Sequence, residues 1–349
     1  MLSIGDSMLL ENQKEISPHT ILLQASMAPM ISKALATATK LNIPDKLVNG
    51  SKTAEELAEE TGTYAPFLYR LLRFLTGLNV FTEDENKRFG LTSLSSVLRS
   101  DVPDSPREWV MFNAQSWRWE VWQAMMDVVL TGKNSYEHVY KKNVYQVFAE
   151  NPEYALGFTK AMKSWSSSVP EAIVDAYDFS NAKTIVDLGG GMGSLLASIL
   201  RANPTAKGIL FDQPPVVEMA KQELSNLDIA ERCSFVGGNF FENIPTGGDV
   251  YIFSCVLNDW CDDDCIKLLK KCRQAMAPGG KILIIEQLIG DVNEPTIGKF
   301  VDMMMMLETF GPIRNVDRWS KLLDTADLKI ANVTHTNAVD SSLIEVIAK

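Results

Sequence analysis

The sequence predicts an α/β protein with a doubly wound sheet in its C-terminal half and a mainly helical N-terminal domain. From residue 184 onward, short apolar runs alternate with helical segments, which is the rhythm of a parallel sheet with crossover helices. The first of these runs ends in a glycine-rich turn. Residues 19–165 instead repeat apolar side chains at helical spacing. These observations predict an N-terminal domain over residues 1–175 and a ligand-binding domain over residues 176–349.

Composition and charge limit the classes of function. The chain has 349 residues, 46% of them hydrophobic and 22% charged, which is ordinary for a globular protein with two cores. The net charge of −11 argues against a nucleic-acid partner, because phosphates require a basic face. No apolar run reaches the roughly 18 residues of a membrane span, and no signal-peptide pattern opens the chain, so we expect cytoplasmic residence. The five cysteines give no metal-site pattern, and we expect no metal.

The N-terminal domain carries a winged-helix pattern. Thr53 and Glu56 form a capping box that opens one helix, and residues 67–78 form a second helix. Residues 80–83 and 88–91 then read as two short strands around a polar turn.

Winged helices often bind DNA, but the charge of this one disfavours that role. Arg70 and Arg73 are the basic residues of its second helix, and the turn between its strands is acidic. We therefore expect the module to serve packing or dimerisation.

In the C-terminal half, six apolar runs are predicted to be strands. They cover residues 184–188, 207–211, 233–236, 250–254, 281–285 and 343–348.

The first strand leads into Ile185-Val-Asp-Leu-Gly-Gly-Gly-Met-Gly-Ser194, a strand, a tight turn and a helix start. Glycines in such a turn let a ligand approach the backbone and leave amides free at a helix N-terminus. The dinucleotide pattern G-x-G-x-x-G fails in both possible registers, where Ser194 or Leu196 takes the last place. Asp187 would also repel a pyrophosphate, so the turn favours a cationic or hydroxyl-rich ligand over NAD.

A second acid follows at strand spacing. Asp212 ends the next apolar run, after one helix-length segment, as a ribose-binding acid does. The plainer interpretation is a turn residue before Pro214, but its spacing from the glycine turn favours the ligand.

Five motifs in this order resemble the two-domain small-molecule O-methyltransferases that use S-adenosylmethionine, such as plant caffeate-type enzymes and bacterial enzymes of secondary metabolism. The resemblance runs from about residue 20 to the end and implies a Rossmann-like methyltransferase sheet. The motifs are Val186-Asp-Leu-Gly-Gly-Gly-Met-Gly193, Phe211-Asp-Gln-Pro214, Gly237-Gly-Asn-Phe-Phe241, Leu257-Asn-Asp-Trp260 and Ala277-Pro-Gly-Gly-Lys-Ile-Leu-Ile-Ile-Glu286.

The resemblance implies a binding site for S-adenosylmethionine or its product S-adenosylhomocysteine. It also implies a homodimer in which the N-terminal helices close over the neighbouring subunit's pocket. The residues that it places at the cofactor are Asp187, Gly189, Gly191, Gly193, Asp212, Gln213, Asn239, Phe240, Ser254, Trp260 and Ser166.

The chain departs from the family at positions that carry chemistry. The family usually has a histidine as general base where this chain has Asn258, and an amide accepts no proton at physiological pH. Glu286 matches a partner acid of that histidine, whereas Ile313 replaces a second orienting glutamate. Asn239 replaces an aspartate in the adenine motif, and an asparagine still pairs with an adenine edge.

Three functions are compatible with these departures. The first is O-methyl transfer to a hydrophobic phenol or enol by proximity, without a histidine base; anthracycline-type methyltransferases of the family also carry asparagine here. The second is another reaction, such as hydroxylation, decarboxylation or a pericyclic step, with the cofactor kept structurally. The third is a non-catalytic binding protein. The first is the function that we expect.

Three further residues near these motifs were considered for chemistry. Glu308 is a candidate base or substrate anchor, although a solvated acid at a helix end is the slightly favoured interpretation. Arg314 is a candidate partner for Glu308 or for an acidic substrate. Asp259 is expected to brace the structure rather than to catalyse.

Methionine and aromatic side chains predict a pocket for a sizeable hydrophobic acceptor, although many of them also suit ordinary helix packing. The candidate pocket residues are Trp117, Met125, Met162, Trp165, Met304 and Met305.

Overall fold

The computed structural model describes residues 17–309 and 311–349, and the chain divides into two compact units. The first unit runs to Glu120 and includes Lys160–Ser164. The second comprises Val121–Thr159 and Trp165–Lys349. The functional boundary expected between residues 175 and 176 stays a prediction.

The first unit is mainly helical, as predicted. Its elements are α1 (Pro18–Ser26), α2 (Ala28–Lys40), α3 (Ile43–Lys46), α4 (Ala54–Thr61), α5 (Ala65–Thr76), β1 (Phe81–Glu83), β2 (Phe89–Leu91), α6 (Ser93–Ser96), α7 (Arg107–Asn113) and α8 (Ser116–Gln123), the last continuing into the second unit. The helical period over residues 21–38 belongs to two helices that meet at Met27, because Pro29 occupies the first turn of α2, where proline is tolerated.

The winged-helix pattern is present in the first unit. Thr53 accepts a hydrogen bond from the Glu56 amide, and the Glu56 carboxylate accepts one from the Thr53 amide, so the predicted capping box opens α4. The strands β1 and β2 pair antiparallel, with Phe81 opposite Leu91. Buried apolar side chains of α4, α5 and both strands form one core, which includes Leu57, Leu72 and Phe89.

The second unit alternates helices with the strands of a seven-stranded sheet. Its remaining elements are α9 (Met125–Thr131), α10 (Ser135–Tyr140), α11 (Val144–Glu150), α12 (Pro152–Trp165, of which Lys160–Ser164 is counted with the first unit), α13 (Val169–Ala176), β3 (Thr184–Leu188), α14 (Ser194–Ala202), β4 (Lys207–Asp212), α15 (Pro214–Leu224), β5 (Cys233–Gly237), β6 (Val250–Ser254), α16 (Asp262–Ala275), β7 (Lys281–Gln287), α17 (Ile297–Glu308), α18 (Val316–Thr325), β8 (Leu328–His335) and β9 (Ser341–Ala348), with short 3₁₀ turns at Ala230–Arg232 and Leu257–Asp259.

The strand order is β5-β4-β3-β6-β7-β9-β8. The first five strands run parallel, whereas β9 pairs antiparallel with both β7 and β8. All six predicted strands are present, but the sequence interpretation missed β8. That strand lies at the sheet edge and contains a bulge between Ile330 and Asn332, so its apolar and polar residues do not alternate regularly.

The order of the strands reverses between β3 and β6, which places a crevice at their carboxyl ends. Successive side chains of β3 belong to two separate apolar clusters, Ile185 to one and Val186 to the other. The two clusters therefore occupy opposite faces of the sheet, because successive side chains of a strand point to opposite sides. This double burial explains why Ile185, Val186 and Leu188 of β3 are all apolar.

Within the described part of the chain, no single helix is long and apolar enough to cross a membrane. By length and composition alone, the bent pair of α1 and α2 passes that test together.

Candidate active site

The glycine turn lies at the carboxyl end of β3, where the strand order reverses. Gly189, Gly191 and Gly193 have φ values of 74°, 55° and 78°, a left-handed conformation that favours glycine. The Gly189 amide donates to the Phe211 carbonyl over 2.8 Å, which ties the turn to β4. Gly193 then caps α14. The turn is therefore held open with its backbone at the crevice, as the sequence predicted.

Asp187, the residue before the last in β3, is a buried acid without a hydrogen-bond partner among the described residues. Neither of its carboxylate oxygens has a hydrogen-bond partner among the described residues, and the residue is 1% exposed. Burial, with the negative charge of Asp212, raises the pKa of Asp187 to about 7. A buried carboxyl left in this way fits a ligand that brings a positive charge or hydrogen-bond donors.

Asp212 lies at the end of β4, beside the glycine turn. Its carboxylate accepts hydrogen bonds from the Gly191 amide over 2.9 Å and from the Gln213 amide over 2.6 Å. Burial raises the pKa of Asp212, and these two amides oppose that rise. In the structure Gln213 is exposed and acts on Asp212 through its backbone. Both acids that the sequence singled out therefore converge on one turn.

The predicted adenine-binding residues lie after β5 and are more exposed. The Asn239 side chain accepts from the Phe241 amide over 3.0 Å and donates to Glu242 over 3.2 Å. Phe240 and Phe241 both meet the indole of Trp260 edge-on, with ring centroids 5.9 and 4.6 Å apart. These rings form an aromatic cluster beside Asp212's strand; their contact with adenine stays a prediction.

Asn258 lies in the 3₁₀ turn Leu257–Asp259, which follows β6. Its backbone amide donates to Glu286 Oε1 over 2.9 Å, whereas its side-chain Oδ1 has no hydrogen-bond partner among the described residues. Glu286 is buried at the end of β7, and its Oε2 is also unpartnered there. Burial, partly offset by the positive charge of Arg314, raises the pKa of Glu286 to about 7. The structure thus brings together these two predicted catalytic residues.

Asp259, next in the same turn, makes a contact that no sequence pattern predicts. The Tyr145 hydroxyl, on α11, donates to Asp259 Oδ2 over 2.9 Å. The Tyr145 ring stacks on Trp260 with centroids 5.9 Å apart and an angle of 7° between the planes. Burial raises the pKa of Asp259 to about 7; the bond from Tyr145 opposes the rise and the charge of Glu308 adds to it. Nothing in the sequence around Tyr145 marks it as a site residue.

Glu308, at the end of α17, is buried with 7% of its surface exposed. The slightly favoured interpretation of it as a solvated helix-end acid was therefore wrong. Its negative charge acts on Asp259, so both belong to one group of acids.

Arg314 does not pair with Glu308 among the described residues. It is 1% exposed, and it donates to Asp262 Oδ1 over 2.8 Å, to the Leu257 carbonyl over 3.0 Å and to the Trp260 carbonyl over 2.7 Å. Its guanidinium also lies over the Trp319 ring. Its role is therefore to hold both ends of the turn that carries Asn258 and Asp259, not to pair with Glu308.

The remaining predicted residues are distributed over both units. Trp117 and Met162 belong to the first unit; Met125, Trp165, Ser166, Met304 and Met305 belong to the second, as does Ser254 at the end of β6. Met304 and Met305 lie on α17 and are half-buried. Ile313, at the position of the family's second glutamate, is buried, and its amide donates to Asp302 over 2.8 Å. The shared pocket of the methionines and tryptophans, and the place of Ser166 and Ser254 at the cofactor, stay predictions.

Comparison with known proteins gives matches over nearly the whole chain. Residues 122–329 match the model of the O-methyltransferase domain, and residues 23–101 that of the O-methyltransferase dimerisation domain. Phenazine O-methyltransferase PhzM from Lysobacter antibioticus is 38% identical over 93% of this chain and 95% of its own length. The mitomycin biosynthesis 6-O-methyltransferase from Streptomyces lavendulae is 35% identical over 90% of each chain.

Solved structures agree with this similarity. The crystal structure of LaPhzM superimposes with a TM-score of 0.89 at 37% identity, covering 96% of this chain and all of that one. The calicheamicin-biosynthesis methyltransferase CalO1, in its S-adenosylhomocysteine-bound form, has a TM-score of 0.85 at 27% identity, covering 97% of this chain and all of that one. One relative carries a different reaction in its name: aclacinomycin 10-hydroxylase RdmB from Streptomyces purpurascens is 29% identical over 90% of this chain and 87% of its own length.

Proposed function

The chain belongs to the O-methyltransferase family of S-adenosylmethionine-dependent enzymes, and from that membership we propose that it methylates a hydroxyl group of a hydrophobic phenolic or enolic small molecule. The observation that carries the proposal is the glycine turn with the unpartnered Asp187 at one end of the sheet. The turn carrying Asn258 follows β6 at that same end. A site for a cationic methyl donor and a set of polar groups for an acceptor thus share one crevice.

The residues at the crevice fit S-adenosylmethionine, which supplies an electrophilic methyl group on a positively charged sulfur. Asp187 would face the cationic methionyl part, where a positive charge relieves the cost of burying its carboxylate. Asp212, held by the amides of Gly191 and Gln213, would accept hydrogen bonds from the ribose hydroxyls. Asn239 and Phe240 would flank the adenine, with Trp260 packed against Phe240 nearby.

The acceptor is proposed to be flat and largely apolar. Met304 and Met305 provide an adaptable wall on α17, and methionine suits ligands of irregular outline. The names of relatives concern phenazine, mitomycin and a hydroxynaphthoate, which are ring systems of secondary metabolism. The relatives also include N-methyltransferases, so an amine nitrogen is the second class of acceptor atom to test.

In this proposal the reaction is accelerated by alignment of the acceptor with the methyl donor, without the histidine base that is usual in the family. Because the methyl group is already activated on the donor, holding the acceptor oxygen in line with it supplies much of the acceleration. Asn258 has a free Oδ1 and a backbone fixed by Glu286, so it is suited to orient an acceptor hydroxyl.

The active form is proposed to be a homodimer, as expected from the dimerisation domain over residues 23–101. Cytoplasmic residence remains the expectation from the sequence.

The direct test is to incubate the purified protein with S-adenosylmethionine and a panel of hydroxyphenazines, hydroxyquinones and hydroxynaphthoates. We expect S-adenosylhomocysteine and methylated product to appear in equal amounts by mass spectrometry. Asp187→Asn should bind the cofactor more weakly, whereas Asp178→Asn, an exposed change, should bind it as the wild type does. Formation of neither product with any phenolic, enolic or amine acceptor would contradict the proposal.

The alternative is a non-methylating reaction, such as hydroxylation, decarboxylation or a pericyclic step, with the cofactor kept as a structural group. Asn258 and the similarity to aclacinomycin 10-hydroxylase RdmB favour this candidate. In that case a product would form without production of S-adenosylhomocysteine.

A further inference from the structure

We propose that Asp259, held by the hydroxyl of Tyr145, accepts the proton of the acceptor's hydroxyl group during methyl transfer. This inference rests on the proposed function and adds to it a residue for proton removal, which Asn258 cannot perform because an amide takes up no proton at physiological pH.

The position of Asp259 is the first argument. It follows Asn258 directly, in the turn after β6, at the end of the sheet that carries the glycine turn and Asp212. Unlike Asn258, it keeps some solvent-accessible surface. An acceptor whose hydroxyl group is oriented by Asn258 would therefore lie beside the residue that carries this carboxylate.

The bond from Tyr145 is the second argument. It occupies Oδ2 and fixes the side chain, while the stacking of the Tyr145 ring on Trp260 fixes the donor in turn. Such an arrangement, in which a base is oriented by a third group, is typical of catalytic sites. Burial, together with the negative charges of Asp259 and Asp212, raises the pKa of Tyr145 well above 10, so its hydroxyl remains a donor.

The surroundings keep Asp259 able to exchange a proton near neutral pH. The titratable groups that act on it from neighbouring elements are Tyr145 on α11, Glu308 on α17, Glu286 on β7 and Cys255 after β6. Burial and the two glutamates favour the protonated form of Asp259, whereas Tyr145 favours the ionised form. A base with a pKa of about 7 suits proton transfer from a phenol at physiological pH.

The step is balanced in atoms and charge. The acceptor oxygen gives its proton to the Asp259 carboxylate and forms a bond to the methyl carbon. The carbon–sulfur bond breaks and its electron pair returns to sulfur. The products are the methyl ether, S-adenosylhomocysteine and a neutral Asp259, which then releases its proton to water.

The experiment measures kcat against pH for wild type, Asp259→Asn and Tyr145→Phe, with two acceptors whose own pKa values differ by several units. We expect Asp259→Asn to lower kcat by about 10²-fold or more while the KM for the cofactor stays within about twofold. In Tyr145→Phe the acid limb of the wild-type profile should move to higher pH for both acceptors, because the ionised form of Asp259 loses a donor. The proposal would be overturned if the acid limb of the kcat–pH profile shifts with the pKa of the acceptor and is the same in the wild type and in both variants.

Two matched controls separate these effects from structural damage. Tyr177→Phe removes a similar tyrosine–carboxylate bond, to Glu345 on β9, and should leave the profile unchanged. Asn258→His combined with Asp259→Asn supplies a base at the neighbouring position and should recover part of the lost kcat. If Asp259→Asn does not fold, the shift in Tyr145→Phe alone decides between the outcomes.

A readout without turnover separates this inference from the proposed function. Infrared difference spectra between wild type and Asp259→Asn report the protonated fraction of Asp259 against pH. We expect a midpoint near neutrality that moves upward in Tyr145→Phe. A midpoint at the ordinary value for aspartate would overturn the inference even if methyl transfer occurs. Absence of methyl transfer together with the expected midpoints would count against the proposed function instead.

Discussion

Arg314 and Trp260 are joined by a hydrogen bond of 2.7 Å from the buried guanidinium to the backbone carbonyl. Because a second bond of 3.0 Å reaches the Leu257 carbonyl, one side chain fixes both ends of the turn that carries Asn258. The geometry of the proposed acceptor site thus depends on a residue that is 1% exposed.

Replacing that side chain should destabilise the protein strongly. Arg314→Met removes the charged donor from two buried carbonyls and a buried partner from Asp262, so we expect the free energy of unfolding to fall by about 3 kcal/mol. Urea denaturation of the ligand-free protein measures this. Arg318→Met removes the exposed arginine on the same carboxylate and should cost less than about 1 kcal/mol. Equal losses in the two variants would contradict the role given to Arg314.

Gly311 permits the close approach of the chain to this turn. A Cβ atom there would overlap the Asn258 carbonyl and come within 2.5 Å of the Trp260 amide nitrogen. Gly311→Ala should therefore displace the turn and lower kcat by about tenfold or more, since small misplacements of reacting groups are costly. Gly77→Ala is the matched control, because its Cβ would meet its nearest atom, the Phe74 carbonyl oxygen, at 3.3 Å. A kcat for Gly311→Ala equal to that of the control would refute this explanation.

Asp187 should make the ligand-free protein less stable at high pH. The pKa of Asp187 is about 7 in the folded state and about 3.8 in the unfolded state. Between these two pH values the folded state keeps a proton on Asp187 that the unfolded state has lost. The resulting loss in the free energy of unfolding is absent below about pH 4, grows between about pH 4 and pH 7, and is complete above about pH 7. We expect Asp187→Asn to raise the free energy of unfolding by about 4 kcal/mol at pH 8 and to leave it unchanged at pH 4.

Thermal melts of the ligand-free variants at pH 4 and pH 8 measure the effect. The exposed Asp178→Asn should change stability by less than about 0.5 kcal/mol at either pH. Addition of S-adenosylmethionine should reverse the ranking at pH 8, because the wild-type carboxylate then has a cationic partner. A gain in Asp187→Asn that is as large at pH 4 would rule out ionisation as its cause.

The apolar surface of α1 and α2 should hold the proposed dimer together. Leu23 and Met30 are 54% and 58% exposed in the single chain, which is unusual for large apolar side chains on adjoining helices. Leu23→Asp combined with Met30→Asp should shift the protein toward monomers in sedimentation experiments. Val292→Asp, at a position 90% exposed, should leave the association state as it is. A dimer that withstands the double change would exclude this surface as the interface.

The central strands and the glycine turn could be predicted from the sequence because each is encoded locally. A strand buried on both faces is a continuous apolar run, and left-handed positions call for glycine. The edge strand β8 lacked that signal because its apolar pattern is irregular.

The contacts of the acids could not be predicted, because they depend on distant parts of the chain. Tyr145 and Asp259 are 114 residues apart, and no local pattern links them. The burial of Glu308 was missed because a helix end is usually solvated, and no local pattern marks this one as buried. Arg314 was expected to pair with Glu308 or with an acidic substrate, whereas its donors reach Leu257, Trp260 and Asp262, which no local pattern connects to it.

The ring contacts of Trp260 have an optical consequence. Its indole contacts the stacked ring of Tyr145 and the edge-on rings of Phe240 and Phe241, and it directly follows the turn that carries Asp259. The emission of Trp260 therefore depends on how these neighbours are arranged. A ligand that settles against Phe240 alters that arrangement. The chain has seven tryptophans, and the difference in fluorescence between the wild type and Trp260→Phe isolates the emission of this one. Trp260 is therefore an intrinsic fluorescent reporter of the rates at which a ligand binds to the crevice and leaves it.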